Sequence, residues 1–426
     1  MSQAISDSTP THSDKKQRPW YREILLNILL MSGALVFTLV LAEFVFYILN
    51  KVSPVEKAEI AEFESIPNQE RLDFFQYHPV YGYAGIPNVS KYFNGKLITH
   101  NSKGLRGPEI PYAKPDGVSR IAFIGDSQTW GWSVSDAETI PQFTQRIITQ
   151  ELGGGPVEVL NFGATGYGVD QSYLRLISEG LHYSPDVVVL TYFSDNDIWE
   201  TSSKEAWGVE KPYMYEKEDG QFCVSNVPPR RASGWPSDNI GYILENKLNL
   251  NIPTLQFSIF TVDLGNSNIA RYFKHRSLSP ALLALLGGEP TDPIRAIEEH
   301  VGCLEKEPGP LLTSWDEKIQ LTLNIIGRIR DTAEANGARF LVVAKPLEND
   351  YQSRRNNPDY NKILNGLADR KIDVIELKTE GNLVGLDTRH MYIGSGHLSP
   401  QGNFLAARKL AEAITGKDGE PALARE

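Results

Sequence analysis

Four short segments of the chain carry the side chains that acyl transfer needs. They are Gly125-Asp126-Ser127-Gln128-Thr129, Gly163-Ala-Thr-Gly166-Tyr-Gly168, Ser194-Asp195-Asn196-Asp197 and Gly396-His397-Leu-Ser-Pro400. A serine hydroxyl becomes a nucleophile when an imidazole removes its proton. Backbone N–H groups and a side-chain amide can hold the oxyanion that follows. Ser127, His397, Gly166 and Asn196 supply those parts. The reaction they imply is acyl transfer, to water or to another hydroxyl. Taken singly each segment is ordinary, because Gly-Asp-Ser is common and Asn-Asp is everyday turn chemistry. Their order and their placement in the fold are what give them meaning.

That placement can be read from the apolar runs. Ile121–Ile124, Val157–Phe162, Asp186–Phe193, Arg339–Ala344 and Asp373–Leu377 read as five strands. Helical spacing falls at Thr139–Leu152, Val169–Tyr183, Trp315–Asn336, Asn361–Ala368 and Ser399–Ile414. Strands that are apolar throughout and alternate with helices imply a parallel sheet covered on both faces. The expectation is an α/β three-layer α/β/α sandwich, flavodoxin-like, with a five-stranded parallel sheet. In open sheets of this kind ligands bind at the carboxyl ends of the strands. Three of the segments directly follow strands one, two and three, and the fourth precedes the closing helix, so all four should meet at one edge. Asp126 and Asp197 read as turn-stabilising rather than catalytic, and His390 as a loop residue. Trp130 and Trp132, beside the serine, either line an acyl or sugar pocket or pack the loop.

The chain has 426 residues, 41% hydrophobic and 22% charged, with a formal net charge of −11. This is ordinary globular usage, which excludes wholesale disorder and a polytopic membrane protein. A basic footprint for nucleic acid is absent at chain level. Two cysteines exclude a four-Cys zinc site. Residues 1–19 read as a disordered cytoplasmic tail. Residues 20–50 read as a transmembrane signal anchor, because Ile24–Ile48 is apolar except for Glu43 and long enough to cross a bilayer. A cleaved signal peptide and a buried helix are the competing readings. Lys15, Lys16, Arg18 and Arg22 precede the run, which places the N-terminus in the cytoplasm and the bulk outside, in periplasm or cell exterior. There Cys223 and Cys303 either form one disulfide or remain two unrelated thiols. The remaining divisions are 51–114, a linker and small leading unit; 115–197 and 313–415, two halves of the catalytic domain; 198–312, an insertion or cap with a helical piece near Pro280–Leu286 capped by Ser279; and a 416–426 tail.

Gly125-Asp126-Ser127, Gly166, the Asn196-Asp197 pair and His397 resemble blocks I, II, III and V of the SGNH/GDSL hydrolases over residues 95–200 and 313–415. The approach Asn101-Ser-Lys-Gly-Leu-Arg106-Gly107 is similar to that of the membrane-anchored bacterial subgroup. The resemblance implies that Ser127 is the nucleophile and lends its N–H to the oxyanion hole with Gly166 and Asn196. It implies that His397 is the base and that no metal or organic cofactor takes part. The family places an Asp two or three residues before the His, where this chain has Ser395 and Gly394. Three explanations stand open: a dyad oriented by a backbone carbonyl, a displaced acid such as Asp387, or a weak site. The expected function is a membrane-anchored serine esterase acting outside the cytoplasm on short acyl, chiefly acetyl, esters of carbohydrate or small molecules. Its partners would be the lipid bilayer, through one helix, and an acyl-ester substrate, and not nucleic acid. An O-acetyltransferase acting on an extracellular polysaccharide and a degenerate envelope binding module are the alternatives. Oligomeric state and substrate are not legible.

Overall fold

The computed structural model describes residues 73–229 except 195 and 207, 293–305, 309–348, 358–393 and 396–416, with short stretches between 30 and 44 and at 256–261. The chain divides into two units, residues 62–253 with 278–426, and residues 1–61 with 254–277. In the second unit the described residues are helical at 30–34, and Gln256–Phe257 pairs with Phe260–Thr261. Most of the apolar run 24–48, and all of 1–19, 280–286 and 417–426, lie outside the described residues. No helix among the described residues is long and apolar enough to cross a membrane.

The first unit is built on five parallel strands: β1 (Ser119–Gly125), β2 (Val157–Asn161), β3 (Val187–Phe193), β4 (Arg339–Lys345) and β5 (Asp373–Glu376). They are hydrogen-bonded in the order β5-β4-β3-β1-β2. Read from the other edge this is 2-1-3-4-5, the flavodoxin-like order, whose direction of winding reverses between β1 and β3. The central strand β3 is buried at all seven positions. Alternation within strands assigns the two faces. Ala122, Ile124, Val188 and Leu190 join one core with α3 (Val169–Ser178), α5 (Trp315–Ala335) and α6 (Pro358–Asp369). Ile121, Phe123, Val187 and Val189 join the other with α2 (Ile140–Arg146) and α7 (Pro400–Thr415). The short α1 (Ser127–Trp130) follows β1, and α4 (Asp197–Thr201) follows β3.

The helix expected over Thr139–Leu152 is α only to Arg146. It widens into a π turn over Ile147–Glu151 before the glycines at 153–155. Ser399, capping α7 through the N–H of Gly402 at 3.0 Å, and Thr139, capping α2, fix the starts that Pro400 and Pro141 announce.

Residues 73–112 share the core of the sheet. Two hairpins, Phe75–His78 with Gly82–Gly85 and Ser90–Phe93 with Lys96–Thr99, bury Phe74, Phe75, Tyr81, Tyr83, Phe93 and Ile98 in the same cluster as Trp130 and Tyr167. Within 198–312, Tyr213–Glu216 pairs antiparallel with Phe222–Ser225, which pairs parallel with Leu304–Glu305. A disulfide joins Cys223 to Cys303. Lys211 and Asp170, both with fully buried side chains and 2.5 Å apart, tie this segment to α3.

Candidate active site

Ser127 sits where β1 ends and α1 begins. Gly125 makes the turn with φ +143°, and a Cβ there would lie 2.4 Å from Thr129 Oγ1 and 2.8 Å from the Thr191 carbonyl. No larger residue fits in that space without moving β3. Asp126 caps α1, its carboxylate accepting from the N–H of Gln128 at 2.8 Å. The bend leaves Ser127 as the first residue of the helix, buried but reachable, 9% exposed.

His397 arrives from the far end of the chain on a two-residue strand, Ile393 pairing with His397 and Tyr392 with Leu398. Gln128 Oε1 accepts from the N–H of Leu398 at 3.2 Å, so the residue after Ser127 also holds the residue after His397. Nε2 of His397 lies 2.9 Å from Ser127 Oγ. That is hydrogen-bond distance for a nucleophile and its general base. The two residues expected to do the chemistry, 270 positions apart in sequence, are brought into contact.

Gly166 lies in the turn after β2, buried, with φ +75°. Among the described residues nothing takes up the N–H of Ser127 or of Gly166. Asn196 heads α4, across the β1/β3 crevice from Ser127. Its amide donates to Asp126 Oδ2 at 3.1 Å and to Glu200 Oε2 at 2.7 Å, and its Oδ1 is buried with no hydrogen bond. As found, both amide hydrogens of Asn196 are engaged by carboxylates. To join an oxyanion hole it must release one of them.

The two aspartates of these segments act on backbone. Asp126 caps α1, and Asp197 Oδ2 accepts from the N–H of Phe193 at 2.7 Å. Burial pushes both carboxyls above the usual range, and the charge of Asp126 pushes Asp197 further. Lys345 at the end of β4, fully buried, counters them.

Asp387 caps the turn Thr388–Met391. Its Oδ1 meets the N–H of Arg389 at 3.0 Å and His390 Nδ1 at 2.8 Å, and its Oδ2 meets the Arg389 guanidinium at 2.5 Å. The Arg389 hydrogen bond holds the Asp387 carboxyl below its usual range. Both oxygens of the candidate orienting acid are thus committed to the surface of its own turn, with His390 beside it.

Several neighbours of Ser127 were not legible beforehand. Arg106, with its side chain 1% exposed, donates from Nη1 to the carbonyls of Trp130 (2.8 Å) and Gly131 (2.5 Å), from Nη2 to Val134 (2.7 Å) and from Nε to Asp136 (2.7 Å). The last carbonyls of a helix have no partner within it, and here a planar guanidinium supplies one. Trp130 Nε1 donates to His100 Nε2 at 3.1 Å, which leaves Nδ1 of His100 to donate to the Ile86 carbonyl at 3.1 Å. Burial, with Arg106 nearby, holds His100 neutral and pulls its pKa down to about 3. Trp130 therefore packs the loop, buried against Phe74 and Phe75. Trp132 stacks on His397, ring centroids 5.5 Å apart at 22°. The sequence singles out Trp130, Trp132 and the stretch Asn101–Gly107 that holds Arg106, but not the partners these side chains find.

A cavity of about 430 Å³ lies elsewhere, lined by Ser119, Val157 and Val187 at the amino ends of the strands, away from these groups.

No family model matches the chain, and no curated protein matches it. Among solved structures it is similar to the acetyl xylan esterase AlAXEase, at 14% identity, covering 69% of this chain and 99% of that one, TM-score 0.36. It is similar to a lipase/acylhydrolase from Enterococcus faecalis, at 13% identity over 71% and 99%, TM-score 0.35. It is also similar to Axe2, an acetylxylan esterase from Geobacillus stearothermophilus, at 10% identity over 70% and 95%, TM-score 0.36.

Proposed function

We propose that the chain is an SGNH-type serine esterase, anchored in a membrane by residues 20–50, with its catalytic domain outside the cytoplasm and short acyl esters, chiefly acetyl esters of carbohydrate or small molecules, as substrates. The observation that carries the chemistry is the 2.9 Å contact between Ser127 Oγ and His397 Nε2 at the carboxyl edge of a parallel sheet. His397 takes the Ser127 proton as Oγ attacks the acyl carbon. The tetrahedral oxyanion is met by the N–H groups of Ser127 and Gly166, joined by Asn196 when its amide turns from a carboxylate. The imidazolium returns the proton to the leaving alkoxide, which leaves as an alcohol. Water then repeats the sequence on the acyl-enzyme, releasing the carboxylic acid and free Ser127. The site spans the β1/β3 switch point, where ligands bind in sheets of this order.

The location rests on two supports. The apolar run Ile24–Ile48 follows a cluster of four basic residues. The Cys223–Cys303 disulfide suits an oxidising compartment.

The test is hydrolysis of p-nitrophenyl acetate by the full chain in detergent, with fluorophosphonate labelling of the nucleophile. Ser127→Ala should abolish both. Ester hydrolysis by Ser127→Ala equal to that of wild type would sink the reading. Acetylated sugar forming faster than acetate when a polysaccharide acceptor is present would reassign the enzyme as a transferase.

A further inference from the structure

We propose that Trp132 is the positioning residue for His397: its indole face holds the imidazole toward Ser127 and stabilises the imidazolium formed when His397 takes the Ser127 proton. The inference rests on the reading of Ser127 and His397 as nucleophile and base.

The geometry is that of an offset stack, centroids 5.5 Å apart and planes inclined by 22°. A cation within about 6 Å of an indole centroid is attracted by the negative face of the ring. Neutral imidazole gains little from that face and imidazolium gains much, so the contact favours the charged partner that exists only after proton transfer. It therefore stabilises the transition state more than the resting enzyme.

The indole is built into the nucleophile's own turn. The N–H of Trp132 donates to the carbonyl of Ser127 at 3.0 Å. Gly131 makes the turn between them at φ +94°, where an added Cβ would lie 2.9 Å from Arg106 Nη1. Phe93, from the second hairpin, packs edge-on to the Trp132 ring at 4.5 Å and 72°. Ser127 and Trp132 are thus fixed by one loop, and movement of the loop moves both of these contacts of the imidazole.

Tyr392 to Pro400 contains no carboxylate, and both oxygens of Asp387 are committed to Arg389 and His390. Among the described residues, the charged groups on elements packed against the strand of His397 include Asp126 at the head of α1, whose carboxyl feels Lys345 and that of Asp197. On α7 they are Arg408, paired with Glu151, and Lys409, paired with Glu380 and Glu412. All of these remain when Trp132 is changed.

The experiment uses the full chain in detergent with ring-labelled histidine, the His397 resonance being assigned by its loss in His397→Gln. Wild type is compared with Trp132→Phe, Trp132→Leu and with 5-fluoro- and 5,7-difluorotryptophan placed at position 132. In Trp132→Leu the midpoint of the His397 titration should move to lower pH by about half a unit to one unit. With p-nitrophenyl acetate, kcat should fall about three- to tenfold at nearly constant KM, Trp132→Phe being intermediate. The fluorinated rings keep the shape and drain the face of charge, so both readouts should fall stepwise with fluorine number. A midpoint in Trp132→Leu within about 0.2 unit of wild type would overturn the proposal. So would a flat response to fluorination. The ring titration reads the contact without turnover. If the wild type hydrolyses no ester and Ser127 takes no label, the esterase reading fails while the titration still decides the role of Trp132.

Discussion

Removing the guanidinium of Arg106 should loosen the nucleophile's loop, and its cost can be worked from the contacts. Arg106 holds three carbonyls, of Trp130, Gly131 and Val134, at 2.5–2.8 Å. Its fourth partner, Asp136, keeps 25% of its side-chain surface and can turn to water. A hydrogen bond from a charged donor contributes about 1.5–3 kcal/mol, which sets a ceiling of roughly 4–9 kcal/mol for the three carbonyls. Such terms are not additive, and removing one partner of a buried charged cluster typically costs about 3–5 kcal/mol. We take that range for Arg106→Met. Arg106→Lys keeps the charge but not the fork. One ammonium cannot meet carbonyls of residues 130, 131 and 134 together, so about 2 kcal/mol should go. Urea unfolding of the full chain measures both. Loss of the loop's support should also slow fluorophosphonate labelling of Ser127, because Ser127 opens the turn whose carbonyls Arg106 holds and Trp132 lies between two of them. Arg106→Met within about 1 kcal/mol of wild type would refute the view that this cation ends α1.

Three further outcomes follow from the same geometry. Asp387→Asn should leave ester turnover within about twofold of wild type, since its oxygens serve Arg389 and His390; a loss beyond tenfold with folding intact would make it the acid that orients His397. His100 is neutral when folded and protonates near pH 6.5 when unfolded, so its contribution is fully present above about 6.5 and is lost as pH falls toward about 3. Replacing it in His100→Gln should flatten the stability curve in that window, by up to about 1.4 kcal/mol per pH unit, as read from unfolding at pH 7, 6, 5 and 4; an unchanged slope would show that the ring is protonated in the fold. Replacing Cys223 and Cys303 together by Ser opens a loop closed over a sequence separation of 80, which should cost about 2–4 kcal/mol in urea unfolding; an unchanged stability would mean that the crosslink constrains little of the unfolded chain.

The sheet was legible because its strands are saturated with apolar residues. Val187-Val-Val-Leu190 in β3 admits no other placement in a covered parallel sheet. Ser127 and His397 were legible because the carboxyl ends of such strands converge, so their separation in sequence does not matter. The shell around them was not. Arg106 and His100 are polar residues beyond the second hairpin, paired by one isolated bridge, and their partners are backbone carbonyls and an indole that only the tertiary structure supplies. Trp132 was seen as a neighbour of the serine, but its contact with a histidine 265 positions later depends on the turn at Gly131. Asn196 was placed at the edge from its position after β3. Its engagement by Glu200 comes from one helical turn of α4, which the residue type alone does not suggest.

The contact of Ser127, at the end of β1, with His397, 270 residues later, also sets when the proposed pair can form. A growing chain gains about 5–20 residues each second, so Ser127 is made roughly 15–50 s before His397 exists to activate it. During that interval the strand and turn that cradle the hydroxyl can assemble, but the hydroxyl remains an ordinary alcohol. The contact between Ser127 and His397 forms only when the segment before α7 docks against Gln128. The order of the residues along the chain therefore delays the completed pair until the segment before α7 has been made.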